Sequence, residues 1–101
     1  MFKMIKTPDG VIALIEKEEV TKLHFPNEEV LLTSEAGEQR LKALKQAMVL
    51  GNTYKGKAKL IFEDSEKKYL IDTHIWGLTD KRVILKQGIV IPIHRIHEVK
   101  L

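Results

Sequence analysis

The second half of the chain alternates apolar and polar residues with a period of two, in two separate stretches. The first runs from Lys57 to Glu63 and the second from Lys68 to Trp76, with Asp64-Ser65-Glu66 between them as a turn. Because successive side chains of a strand point to opposite faces, this pattern predicts strands with one apolar face. Further turn signals follow at intervals of roughly 8–12 residues, which indicates a small barrel or sandwich.

One segment departs from this pattern and is typical of a helix, which we predict over 34–51. Ser34 is its candidate N-cap, since a hydroxyl can accept a hydrogen bond from the first turn. Leu41, Leu44 and Met48 recur at helical spacing, so they form one apolar stripe along the helix. A stripe of this kind needs an apolar surface to cover, and the predicted strands would supply it.

Residues 1–33 precede that helix and are predicted to form a short N-terminal β extension. Thr7-Pro8-Asp9-Gly10 is a turn signal, because proline presets φ and Asp-Gly tolerates a left-handed residue. Residues 11–15 and 20–25 are apolar enough to form two short strands, and a polar break separates them.

Length and composition limit the remaining possibilities. Of the 101 residues, 44% are hydrophobic and 31% charged, which excludes a disordered chain, and the length suits one domain over 1–101. The patterns above predict that this domain is α+β, mostly β, with its main strands over 55–101. The absence of cysteine excludes disulfides, thiol catalysis and cysteine zinc sites. No apolar run approaches the ~20 residues that cross a membrane, and the start lacks the pattern of a signal peptide. We therefore expect a cytoplasmic protein without a membrane partner.

A recognisable order of elements covers residues 34–101: helix, strand, turn, long bent strand, hairpin, tight turn and short strand. The residues that carry it are Gly51 to Asp64, Ile71 to Ile75, Val83 to Leu85 and Ile91 to Ile96. This order resembles the Sm-like group of small SH3-like barrels. The resemblance implies a strongly bent five-stranded barrel with one capping α-helix.

The loops that bind RNA in that family are not intact here. Family members use an acidic-aromatic-Asn element and an Arg/Lys-Gly-Asn element, whereas the corresponding loops read Leu78-Thr79-Asp80-Lys81 and Lys86-Gln87-Gly88. The resemblance therefore assigns no RNA-binding residue to this chain. The chain is also similar to uncharacterised small bacterial proteins with a Thr-x-Ile-Trp … Ile-Pro-Ile pattern, here Thr73 to Trp76 and Ile91 to Ile93, and that similarity implies no activity.

Positive charge is concentrated in the second half of the chain. Residues 1–50 hold 7 Lys and Arg against 8 Asp and Glu, whereas residues 51–101 hold 10 against 6. Nucleic-acid binding draws its affinity from basic side chains that neutralise phosphates, so RNA binding is an alternative function. The candidate residues for it are Lys55, Lys57, Lys59, Lys81, Arg82 and Arg95. A solvated lysine stripe on a strand face is the more ordinary interpretation, and we favour it.

The histidines supply a second alternative, a metal-dependent enzyme that uses His74, His94 and His97. Zinc needs three or four converging ligands, and His94 and His97 share a face only if their segment is helical. The sequence pattern does not show three ligands that converge, so we favour ordinary surface histidines and expect neither a metal nor another cofactor.

Trp76 is the most informative single residue, and two interpretations of it stay open. If the alternation holds, Trp76 lies on the outer face with Leu70 and Ile61 and is a binding anchor. If Gly77 bends the strand, Trp76 packs under the helix, which we favour because large aromatics in small barrels are mostly buried. Three apolar residues on an outer face indicate either a cover from the N-terminal segment or an oligomer interface.

These observations predict a non-enzymatic binding or assembly module. We expect it to self-associate as a homo-oligomer, through an edge strand or through the face that carries Leu70 and Trp76.

Overall fold

The structure is a computed structural model that describes residues 3–7 and 10–101, and it has an α+β architecture with more strand than helix. The strands are β1 (Lys3–Thr7), β2 (Gly10–Leu14), β3 (Ala58–Glu63), β4 (Lys68–Thr73), β5 (Ile75–Leu78), β6 (Arg82–Leu85), β7 (Val90–Pro92) and β8 (Ile96–Lys100). The helices are α1 (Lys17–Val20) and α2 (Ser34–Tyr54), and two 3-10 turns cover Lys86–Gly88 and Ile93–Arg95. No helix in the described residues combines the length and the apolar character that crossing a membrane requires.

The strands form two sheets. The first has the order β1-β2-β4-β3-β8 and the second the order β5-β6-β7; the β2–β4 pair is parallel and every other pair is antiparallel. Only His74 separates β4 from β5, and the Ile93–Arg95 turn leads from β7 to β8, so the chain passes directly between the sheets at two corners. Within the described residues neither sheet closes on itself, and the expected five-stranded barrel is not confirmed.

The core lies between the inner faces of the two sheets and α2. The alternation in the sequence predicted these inner faces correctly, because every second residue of β3 and β4 is buried. The largest fully buried side chains are those of Leu44, Leu60, Phe62, Tyr69, Ile71, Ile75, Val83, Leu85, Ile91 and Ile96.

Helix α2 is confirmed, with small differences at its ends and on its apolar face. Thr33, not Ser34, is the N-cap, and its Oγ1 accepts a hydrogen bond of 3.1 Å from the N–H of Ala36. The buried face runs through Leu44 and Ala47, whereas Leu41 is 38% exposed. The helix also continues past the predicted end at residue 51.

The described part of the first 33 residues has two short strands, as expected, but only one of them lies where the sequence predicts it. β1 and β2 are a hairpin at the edge of the first sheet, and the turn predicted there includes positions 8 and 9, which lie outside the described residues. The strand predicted over 20–25 is wrong: residues 17–20 make one helical turn and 21–33 are irregular. Val20 is buried in the core, and Leu23 and Phe25 pack against it. Burial of these side chains outweighs their strand propensity.

Arg95 fastens this irregular segment to the first sheet. Its guanidinium is almost fully buried and donates to three main-chain oxygens: Glu28 O at 2.7 Å, Glu63 O at 3.0 Å and Asp64 O at 3.2 Å. A buried guanidinium that donates its hydrogen bonds to main-chain carbonyl groups cannot reach a phosphate in solvent. We therefore remove Arg95 from the candidate nucleic-acid contacts, and we assign it a structural role.

Candidate functional site

A groove lies where the end of α2 meets the bend between β4 and β5. One part has a volume of about 480 Å³ and a second part about 240 Å³, and the two adjoin because His74 and Lys86 line both. We call both parts together the His74 groove. The residues that line it are Glu16, Lys17, Gly51, Asn52, Lys55, Lys57, Ile71, Asp72, Thr73, His74, Trp76 and Lys86.

The last turn of α2 supplies one wall of the groove. Gly51 is buried against β5 so closely that an added Cβ would lie 2.5 Å from the main-chain oxygen of Ile75. Asn52 follows it and donates from Nδ2 to the main-chain oxygen of Trp76 at 3.3 Å. Lys55 then ends the helix in the left-handed region, with φ of 58°, and its N–H bonds Leu50 O. The close helix–strand contact therefore fixes where Asn52 and Lys55 stand.

His74 occupies the bend and is held by a single main-chain bond. Its Nδ1 lies 2.9 Å from the carbonyl oxygen of Gly56. A carbonyl oxygen only accepts hydrogen bonds, so Nδ1 carries the hydrogen in that bond. This leaves Nε2 as the ring nitrogen that a ligand in the groove can use, as an acceptor when the imidazole is neutral and as a donor when it is protonated.

Trp76 lies in a β-bulge. The β5–β6 register shifts between Ile75 and Gly77, so Trp76 is the extra residue of the bulged strand. Its side chain is 51% exposed and lines the groove, whereas Ile75 beside it is fully buried. The sequence predicted a slip of the pattern at Gly77 correctly. The expectation that we favoured, burial of Trp76 under the helix, is wrong because the alternation of buried and outward residues continues from Tyr69 through Ile75 and places the indole outward.

The groove has an excess of positive charge. Its charged side chains are those of Lys17, Lys55, Lys57 and Lys86, with Glu16 and Asp72 opposing them. Four ammonium groups against two carboxylates leave a net charge of +2 among the lining residues with His74 neutral, and one of the four, that of Lys17, is also paired with Glu18 at 3.3 Å. Cations around a half-exposed indole form an arrangement that suits a ligand with an anionic part and a flat apolar part.

The groove brings together three of the eight residues that the sequence proposed for binding, namely Lys55, Lys57 and Trp76, but not Lys59, Leu70, Lys81, Arg82 or Arg95. The others lie elsewhere. Arg82 is the first residue of β6, and Lys86 follows the last residue of that strand. The length of the strand, roughly 10 Å, therefore separates Arg82 from the groove.

Lys59 and Leu70 point away from the core, on the outer face of the first sheet. Lys59 is paired with Asp72 across the β3–β4 ladder, and Leu70 is paired with Ile61. The predicted face that joined Leu70 to Trp76 is therefore two surfaces, since Leu70 belongs to the first sheet and Trp76 to the second.

The three histidines of the metal alternative each have a different partner. His74 bonds Gly56 O, His94 Nε2 lies 2.8 Å from the main-chain oxygen of Pro26, and His97 Nε2 lies 2.7 Å from Oε1 of Glu63. Across residues 3–7 and 10–101, no three His, Asp or Glu side chains are grouped to hold a metal ion. The geometry therefore gives the metal-dependent alternative no support.

Sequence reasoning missed Lys17, Asn52 and Lys86 altogether, and it considered His74 only as a metal ligand. Lys17 and Lys86 are far apart in the chain and meet only because β2, β4 and β5 are neighbours in the fold. No local pattern could reveal such a meeting. Comparison of the chain with protein-family models, with curated proteins and with solved structures found no match.

Proposed function

We propose that this protein is a non-catalytic binding module whose His74 groove takes single-stranded nucleic acid. The observation that carries the proposal is the exposed Trp76 beside Lys55 and Lys86 in one groove. Proteins that bind single strands combine a basic groove for the phosphates with an aromatic surface on which bases stack. The indole would receive a base, and the ammonium groups would contact the phosphates. Nε2 of His74 would donate to a phosphate only when the imidazole is protonated.

The conformation of Lys55 supports this assignment. A left-handed residue at a helix end is usually glycine, because a side chain there costs conformational energy. Lysine in that position places an ammonium group at the groove wall, at a cost that a purely structural cap would avoid. Strain of this kind is typical of functional sites.

We further propose that the two sheets together form an open barrel of the Sm-like or SH3-like type. The strands can be followed around the molecule back to the start. β3 pairs with β4, β4 continues into β5, β5 pairs with β6, and β6 pairs with β7. β7 then leads to β8, and β8 pairs with β3. A strongly bent sheet of this connectivity is typical of small barrels.

Titration of a labelled single strand tests the nucleic-acid proposal. We expect a fluorescent RNA or DNA of about 16 nucleotides to bind, and the logarithm of its affinity to fall linearly with the logarithm of the salt concentration between about 50 and 200 mM. Trp76→Ala should weaken binding about 5-fold to 100-fold through lost stacking, and Trp76→Phe should restore part of it. Lys86→Gln should lower the salt slope by about 0.7 through the loss of one phosphate contact.

Arg82→Gln is the matched control, because it also removes one positive charge but lies outside the groove. We expect its affinity and salt slope to stay close to those of the wild type, with the melting temperatures of all variants measured alongside. Absence of binding at low salt would overturn the proposal, and so would an equal loss of affinity in Arg82→Gln and Lys86→Gln.

A further inference from the structure

A second surface lies on the outer face of the first sheet and adjoins the His74 groove at Asp72. Five apolar side chains adjoin there on four neighbouring strands. The strand registers place Ile5 opposite Ile12, Leu14 opposite Leu70 and Leu70 opposite Ile61. Paired residues of adjacent strands share a face, so these five residues form one band, which we call the outer strip.

The outer strip is separate from the core of the protein. The core cluster is built from residues of the opposite face such as Ala13, Leu60 and Tyr69. Within the strip Ile5 is 37% exposed, Ile12, Leu14 and Leu70 are half-buried, and Ile61 is buried with 9% of its surface exposed. Helix α2 contributes Leu44 and Ala47 to that core, and so it packs on the inner side. The N-terminal hairpin lengthens the sheet at its edge, with Ile5 and Ile12 inside the strip, and does not cover it. An apolar band across four strands is typical of an interaction surface.

The charges around the outer strip are balanced. The outward side chains of β3, β4 and β8 beside it are Lys59, Lys68 and Lys100 with Glu63, Asp72 and Glu98. Opposite charges face each other in the β3–β4 pairs Lys68–Glu63 and Lys59–Asp72, whereas Lys59 and Lys100 are a like-charged pair across β3 and β8. This border is therefore neutral, in a chain of net charge +3.

We infer that the outer strip is the interface between two copies of this chain, packed face to face about a two-fold axis. A two-fold interface brings the same surface of both copies together, so it must be complementary to itself. A neutral border of mixed sign meets this condition, because the lysines of one copy can face the carboxylates of the other. A nucleic acid or an anionic membrane would gain nothing from a neutral border, and two copies of the basic His74 groove would repel each other.

Sedimentation of the full chain without nucleic acid tests this inference. Between about 1 µM and about 1 mM we expect the average mass of the wild type to rise from 11.6 kDa toward twice that value. Leu70→Lys places a charge at the centre of the strip and should raise the dimer dissociation constant at least about 10-fold. Lys68→Glu leaves every apolar side chain in place but makes the border acidic, and it should weaken the dimer as well.

Val49→Lys is the matched control, since Val49 is also an exposed apolar residue but lies on α2. It should dimerise like the wild type, and so should Trp76→Ala, which changes only the groove. Circular dichroism of each variant verifies its fold, and Lys68→Glu decides the result if Leu70→Lys does not fold. A wild type that stays monomeric up to about 1 mM refutes the interface, as does a Lys68→Glu variant with the wild-type dissociation constant. Neither result bears on nucleic-acid binding at the groove.

Discussion

At the scale of single residues, the ion pair of Glu29 and Arg40 joins the irregular segment to α2. The guanidinium donates to both carboxylate oxygens of Glu29, at 2.6 and 2.7 Å, and also to the main-chain oxygen of Ile96 at 3.0 Å. The hydrogen bonds from Arg40 lower the pKa of Glu29 from 4.5 to about 2, against a smaller opposing effect of burial. A carboxyl group with a depressed pKa in the folded state stabilises the fold above its unfolded pKa and loses that contribution in acid.

We expect Glu29→Gln to lower stability at neutral pH but not in strong acid. The contribution of the ion pair should be complete above pH 4.5 and should disappear as the pH falls through about 2. Because the Glu29 side chain is 43% exposed, solvent screens the pair, and we expect a difference of about 1 kcal/mol at pH 7. Urea unfolding across this pH range measures it, with Glu28→Gln as the neighbouring control. A difference between wild type and Glu29→Gln that does not change with pH would contradict the assignment.

At the scale of elements, the contact between α2 and β5 depends on the absence of a side chain. Gly51 faces the backbone of Ile75, with Ile75 O at 2.5 Å and Ile75 N at 3.2 Å from the position of an added Cβ. Backbone atoms cannot move aside as the end of a flexible side chain can. The helix and the strand approach this closely only because position 51 is glycine, and the groove wall follows from that approach.

Two glycine substitutions in the same helix should therefore have opposite effects. Gly51→Ala should lower the free energy of unfolding by about 1–3 kcal/mol, because the helix must move off β5. Gly37→Ala should raise it by about 0.5 kcal/mol, since alanine favours the helix and nothing lies within 4 Å of the added Cβ. Urea unfolding measures both variants. Equal effects of the two substitutions would show that Gly51 is not in close contact with β5.

At the scale of the whole molecule, Arg95 joins stretches of chain that are distant in the sequence. Glu28 is 67 residues away from it, and Glu63 and Asp64 are 32 and 31 residues away. Asp64 is itself buried, and its Oδ1 accepts hydrogen bonds from the N–H groups of Glu66 and Lys67. The turn between β3 and β4, the irregular segment and the start of β8 are therefore fixed together.

Arg95→Ala should lower the free energy of unfolding by about 2–4 kcal/mol, because it leaves three carbonyl groups without their charged donor. Arg82→Ala is the control, since it removes an exposed arginine and should change stability by less than about 0.5 kcal/mol. Chemical denaturation of the two variants under the same conditions gives the comparison. If both variants were equally stable, Arg95 would have no role in fastening the N-terminal segment.

The sequence predicted those parts of the fold that depend on neighbours along the chain. The alternation of apolar and polar residues predicted the inner faces of β3 and β4, and the apolar stripe predicted α2. Both depend on local periodicity, which decides which side chains can share a face. The strand expected over 20–25 failed for a tertiary reason. That segment buries Val20 and packs Leu23 against the core, and the main-chain oxygen of His24 accepts a hydrogen bond from the N–H of Ser65 in the turn between β3 and β4.

What the sequence by itself determined is the set of elements with their apolar faces and two of the four lysines in the groove, Lys55 and Lys57. The tertiary structure alone decided that Lys17 and Lys86 meet His74, that Arg95 is buried, and that Trp76 and Leu70 lie on different surfaces. The physical reason is that the periodicity of a sequence determines only which residues share a face within one helix or strand. A groove or a buried charge depends on which distant segments the core brings into contact.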